Sequence, residues 1–266
     1  FTQELEKPKT NLNNDIIIDR NLYLESDKIL NIQKGVKILF IKDVTLRSEG
    51  SIFFNGTKEK PIIVYSNDNI GSIILSNNNF KLNNVIFKNL SYPKEKDKIL
   101  YGGINIINSD VEIIDSHIAS ANSEDAINII SSNSFIRNLR VNDIKADAID
   151  IDFGNLNFTN ITCENINNDC LDVSGANVTG NFFKGLNIKD KGLSFGENAK
   201  GEISHLNIKN SKLGVAVKDG SNLKLSKYEF KNNDFDVVVF NKKKEYEGGS
   251  LIIDNPINNS QLNYLI

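Results

Sequence analysis

Two runs near the middle of the chain set acidic side chains in nearly the same phrase: ADAIDIDFGN (146–155) and NNDCLDVSGAN (167–177). Asp147 and Asp150 in the first recur as Asp169 and Asp172 in the second, 22 residues on, and Asp152 adds a fifth carboxyl. Paired carboxyls can pass a proton to and from a substrate, share a proton at a raised pKa, or hold a hard cation. Crowding them has a cost. Like charges about 4–5 Å apart repel by about 1 kcal/mol in water and about 4 at an effective dielectric of 20. A cation, a shared proton, a lysine or a ligand must offset this, and Lys191 and Lys218 are the nearest basic residues.

The elements that position these residues follow from the period. Ile127, Ile149, Leu171, Leu193, Val215 and Val237 fall in one column at a step of 22, and Ile129, Ile151, Val173, Phe195, Val217 and Val239 in a second. Small residues precede the first column: Ala126, Ala148, Cys170, Gly192 and Gly214. A period of this length held through six copies marks a solenoid, and apolar residues at every second position mark strands with one buried face. The expected fold is all-β, a right-handed parallel β-helix. A leucine-rich repeat of similar period would need its own leucine and asparagine signature and a helical half, which are absent.

A second apolar cluster is expected near Ile144, Ile166, Ile188, Ile208 and Phe230, and Asn133, Asn155 and Asn177 read as a stacked bend in which Asn accepts left-handed backbone. Residues 1–14 read as a loose polar arm, 15–254 as the β-helix with 91–101 as a loop between coils, and 255–266 as a cap closing the last coil.

On one sheet face of such a coil the inward isoleucines turn Asp150 and Asp152 outward. Asp172 and Ser174 then occupy the same columns one coil on, with Asn128 before and Ser194 after. At the strand entrance Asp125, Asp147 and Asp169 stack and the column ends in Lys191. That entrance column also reads as scaffold, since Asp ahead of a strand accepts turn amides. Asp150 and Asp172 are the candidate ligands for an ion such as Ca²⁺, facing solvent on a flat sheet.

Composition narrows the partners. A net charge of −3 gives no basic footprint, so nucleic acid is not expected. No apolar stretch reaches the 18 residues of a membrane span. Two cysteines are too few for a disulfide framework and leave the redox compartment open; Cys170 reads as packing in the small-residue column and Cys163 as internal. With no Met in the chain, Phe1 reads as a processed or trimmed terminus, as after removal of a secretory signal. His117 and His205 fall off the acidic column, and Trp is absent.

The order of motifs resembles the polygalacturonases, pectin-hydrolysing members of the pectin-lyase-like superfamily, over about 145–219. KADAIDI, NNDCLDV, DKGLSFG and GVAVK stand where that family carries its aspartate, aspartate-pair, histidine and arginine-lysine motifs. The resemblance implies catalytic roles for Asp147 and Asp169 and a basic role for Lys218. Asn168 replaces the family's general acid, Lys191 its histidine and Ala216 its arginine. Hydrolysis of a glycosidic bond needs an acid and a base, so Asp172 is the candidate substitute acid. A lyase or epimerase acting on a uronic-acid polymer could instead use Lys191 or Lys218. The expected machinery is therefore Asp147, Asp169, Asp172, Lys191 and Lys218, with Asp150, Asp152, Asn168, Ser174, Ser194 and Glu197 contacting substrate. The expected partner is a polysaccharide or surface glycan and the expected setting secreted, periplasmic or cell-surface in a bacterium. The rival reading is a non-catalytic rod, adhesin or surface-assembly module.

Overall fold

The computed structural model describes residues 8–94, 99–256 and 264–265, and within them the chain forms 22 strands and no helix. Every ladder between strands is parallel, and the result is a β-solenoid of about ten turns. At about 4.8 Å per turn the stack is about 50 Å long.

Each full coil contributes to three faces. Face A runs through 102–107, 125–130, 147–152, Leu171–Ser174, 193–196, 213–218 and Phe235–Phe240. Face B runs through 110–114, 133–136, 155–158, 177–180, 200–203 and 222–225. Face C runs through 116–119, 139–144, 161–166, 182–188, 205–211 and 227–231. The step of 22 lengthens upstream, where Ile52 pairs with Phe80 and Phe80 with Val111, because longer loops are inserted between faces there.

The two apolar columns of face A line the interior as their alternation requires: Ile127, Ile149, Leu171, Leu193, Val215, Ile129, Ile151, Val173, Phe195 and Val217 are all fully buried. Face C departs from expectation by three positions. Ile144, Ile166 and Ile188 stack, but Ile188 pairs with Ser211, while Ile208 and Phe230 join the Val141–Cys163–Gly185 column. The step is already 23 at Asn177–Lys200, and a bulge between Ile188 and Lys191 returns it to 22. Ile208 fills the space that glycines leave: a Cβ on Gly192 would lie 2.4 Å from its Cδ1 and 2.6 Å from the Gly214 carbonyl oxygen.

Asn133, Asn155 and Asn177 do form a hydrogen-bonded ladder, with Nδ2–Oδ1 distances of 2.8 and 3.2 Å. They are not the left-handed residues, however. Positive φ falls instead two positions earlier, at Ser131, Phe153 and Gly175, and in a further column, Asp143, Asn165, Asn187, Asn210 and Asn232 (φ 56–57°), at the corner between faces C and A. Their amides bond coil to coil at 2.9–3.2 Å, so the column combines tolerated left-handed backbone with a continuous side-chain ladder.

Within the expected arm, Lys9–Leu12 is a strand paired in register with 29–32, so face B begins there; residues 1–7 lie outside the described residues. The C-terminal cap expected over 255–266 lies largely outside them too, but Tyr264–Leu265 pairs with Val237 and Val238 on face A. Cys163 and Cys170 are both fully buried, as expected of internal residues, but they are joined in a disulfide linking face C to the entrance of face A. The sequence treated them as separate packing residues because seven positions apart says nothing of a corner that brings their Cα atoms to 6.0 Å.

Candidate functional site

Parallel register brings the acidic residues of face A together. Asn128, Asp150, Asp172 and Ser194 are successive partners in one column, and Ile130, Asp152, Ser174 and Gly196 in the next. Their chemistry follows from their surroundings. The flat, solvated setting expected for Asp150 and Asp172 is not what the column provides. Both are half-buried, and their column neighbours Asn105, Asn128 and Ser194 are at most 3% exposed despite pointing away from the interior.

Asn128 is the organising donor. Its Nδ2 reaches Asp150 Oδ2 at 2.7 Å and Asp152 Oδ2 at 3.3 Å. Burial, reinforced by the charges of Asp125, Asp152, Asp172 and Asp147, pushes Asp150 up to about 9. Asp152 is raised by burial, with Asp172 and Glu197 adding to it, against hydrogen bonds from Asn128 and Asp150 that favour its charge. Both carboxyls are thus raised by burial, Asp150 the more strongly, and the two titrate as a coupled pair around the Asn128 amide.

At the entrance column the carboxyls serve the backbone. Asp147 Oδ1 accepts the Asp169 amide at 2.6 Å, and Asp169 Oδ1 accepts the Lys191 amide at 3.1 Å. Asp169, 2% exposed, also receives Lys191 Nζ at 3.2 Å on each oxygen, and Lys191 donates as well to Asp190. Burial lifts Asp125 to about 8 and Asp169 to about 7, Lys191 holding the latter down from a greater rise. Asp147, lifted by burial and restrained by the Asp169 amide, sits at about 6. Asn168 donates its side chain to Asp147, so the residue in the place of the family's acid supports a carboxylate.

Lys218 enters from two coils beyond. Its stem lies over Gly196, where a Cβ would meet Lys218 Cε at 2.9 Å, and its Nζ donates to Ser194 Oγ at 2.8 Å. Since Ser194 is in register with Asp172, one row carries an amide, two carboxyls, a hydroxyl and an ammonium. Glu197 lies at the far end of the strand, paired with Lys243 in the 241–249 loop and near enough for its charge to act on Asp152. Ser174, half-buried, stands between Asp152 and Gly196.

Sequence reasoning missed Phe153. It follows Asp152 directly, is 52% exposed, holds φ at 59°, and its ring covers Gly175. Such backbone is uncommon for a bulky residue. The signal lay in the FG pair at 153–154, where an aromatic interrupts a polar turn. Among the described residues no group of three or more His, Cys, Asp or Glu side chains is arranged to hold a metal ion. His117 and His205 both lie on face C. Among the described residues no helix is long and apolar enough to cross a membrane. The chain matches no model of a known protein family, and comparison with curated proteins found no match.

Proposed function

We propose that this β-solenoid binds a polysaccharide along face A and cleaves or modifies it by acid–base chemistry. One observation carries the reading: Asp150 and Asp152 share the Asn128 amide, beside Asp172 and the Lys218–Ser194 pair, and burial raises Asp150 more than Asp152. Glycosidic cleavage needs one carboxyl that stays protonated near neutral pH and one carboxylate that does not. In this reading Asp150 is the proton donor, replacing the acid missing at Asn168. Asp152 or Asp172 is the base, and Lys218 neutralises an acidic sugar, Lys191 being held by Asp169 and Asp190. Phe153 offers a ring for the apolar side of a pyranose.

A uronic-acid polymer is compatible with so many aspartates because burial keeps several of them protonated near neutral pH, which removes much of the repulsion. The Cys163–Cys170 disulfide supports an oxidising setting, secreted, periplasmic or at the cell surface.

The amide-accepting roles of Asp147 and Asp169 favour a second reading, a non-catalytic surface rod whose acidic columns are scaffold. A glycan array, with depolymerisation assays on uronic-acid polymers with and without Ca²⁺, separates the two. The enzyme reading expects Asp150→Asn to keep glycan binding and lose turnover by about 10²–10⁴-fold. Neither binding nor turnover in the wild type leaves the rod.

A further inference from the structure

Face C carries a feature that face A chemistry does not use. Phe182 and His205, in register on neighbouring coils, stack with ring centroids 4.5 Å apart and planes 22° from parallel. His205 covers one side of the Phe182 ring. The residue in register on the preceding coil is the shorter Asn160, and Phe182 remains 48% exposed. The uncovered side borders an open cavity of about 500 Å³ lined by Asn160, Thr162, Phe182, Lys184 and His205.

The charges around it are uneven. On the same column as Thr162, Arg140 is paired with Glu164, and farther along Lys209 is paired with Glu229. Lys184 in the cavity and Lys227, in register with His205, have no ion pair among the described residues. The combination is an aromatic side wall, a hydroxyl and an amide on short side chains, and unpaired ammonium groups.

An aromatic face receives the C–H edge of a pyranose, Thr162 and Asn160 exchange hydrogen bonds with ring hydroxyls, and the lysines favour an anionic substituent. A volume of this size suits one or two sugar units. We propose that the Phe182–Lys184 cavity is a second saccharide site, taking an acidic sugar unit, carboxylated or sulfated, on a face separate from the aspartate row. It is independent of whether face A performs catalysis. Its use would be to hold a long acidic glycan against the rod.

The chain has two histidines, His117 and His205, both on face C, so their ring protons form a built-in reporter and control. Proton NMR titration of the whole chain with a galacturonate trimer, a heparin-type sulfated hexasaccharide and a neutral glucose trimer makes the test. At least one acidic probe shifts the His205 ring signals and leaves those of His117 in place; which one responds identifies carboxylate or sulfate as the anion. The neutral trimer leaves both unmoved. Phe182→Ala, on an exposed side chain that the core does not need, weakens binding by about tenfold, and Lys184→Gln weakens it further at low salt than at high salt. Asp150→Asn leaves the His205 response unchanged, which separates this site from the face A reading. The proposal is overturned if neither acidic probe moves His205, if His117 moves equally, if the neutral trimer is as effective, or if Phe182→Ala binds like the wild type.

Discussion

Asp150 and Asp172 stand in register on adjacent coils of face A, with Asn128 bonded to the first and Lys218 reaching Ser194 beyond the second. Burial first, and then the charges of Asp125, Asp152, Asp172 and Asp147, raise the pKa of Asp150. A period of 22 gathers these side chains, because it leaves equivalent residues on top of one another.

The first prediction concerns pH. The folded pKa values of Asp125, Asp147, Asp150 and Asp169, about 8, 6, 9 and 7, all exceed the ordinary value of 3.8. A folded state that binds protons more tightly than the unfolded one gains stability at low pH: the contribution is complete below about pH 4 and is lost as pH rises through 6 to 9. Tm should therefore fall between pH 5 and 9. Asp150→Asn should flatten the slope and raise Tm at pH 9 by about 2–4 °C for each kcal/mol recovered. Asp190 works the other way. Burial alone would raise it, but Lys191 and Lys212 bring it below the ordinary value, so its contribution is lost only in acid. A Tm that climbs from pH 5 to 9 would mean the row is ionised and neutralised by something else.

The second concerns the disulfide. Cys163 and Cys170 are fully buried and the bond closes a short loop from face C to the strand that carries Asp172. Removing it as the double change to Ala should lower the unfolding free energy by about 2–3 kcal/mol in the loop-entropy account. Alkylation followed by mass spectrometry checks the bond directly. The native protein should take up no alkylating reagent without reductant, and two equivalents after unfolding and reduction.

How much of this was legible beforehand depends on which interaction sets each feature. The inward columns of face A could be read because burial repeats with period 2 inside a coil and 22 between coils, and nothing competes with that pattern at Ile127, Ile149 or Leu171. The register of Asp150 on Asp172 followed from the same arithmetic. Ile208 did not, since its place depends on the extra residue that makes the step 23 from Asn177–Lys200 onward and on space beside Gly192, both three-dimensional facts. The same holds for the disulfide, made at a corner, and for the hydrogen bonds that turn Asp147 and Asp169 toward backbone amides. Periodicity places a carboxyl in a column but does not say what its oxygens touch.

The third prediction tests the small-residue column. Ala126 and Ala148 carry methyl groups at the positions that Gly192 and Gly214 leave bare. A methyl on Gly192 would stand 2.4 Å from Ile208 Cδ1 and 2.6 Å from the Gly214 carbonyl, the second of which is backbone and cannot step aside. Gly192→Ala should destabilise by about 1–3 kcal/mol. Adding Ile208→Val removes the Cδ1 clash but keeps the Cγ2 methyl, 2.9 Å away, and the carbonyl, and should restore only part of the loss, as urea denaturation of the two variants would show.

The left-handed ladder allows backbone and side-chain effects to be separated at one residue. Asn187 holds φ at 57°, donates to Asn165 Oδ1 at 3.0 Å and accepts from Asn210 Nδ2 at 2.9 Å. Glycine at this position keeps the backbone conformation and loses both ladder bonds; alanine loses the bonds and adds the steric cost of left-handed backbone, about 1–2 kcal/mol. Asn187→Ala should therefore be the less stable of the two by about that amount, reversing the usual advantage of Ala over Gly within regular structure. Equal stabilities in urea would show that the column is held by its neighbours and that left-handed geometry carries no cost there. A larger loss in the glycine variant would show that the flexibility gained by the unfolded chain outweighs the cost of left-handed backbone for alanine.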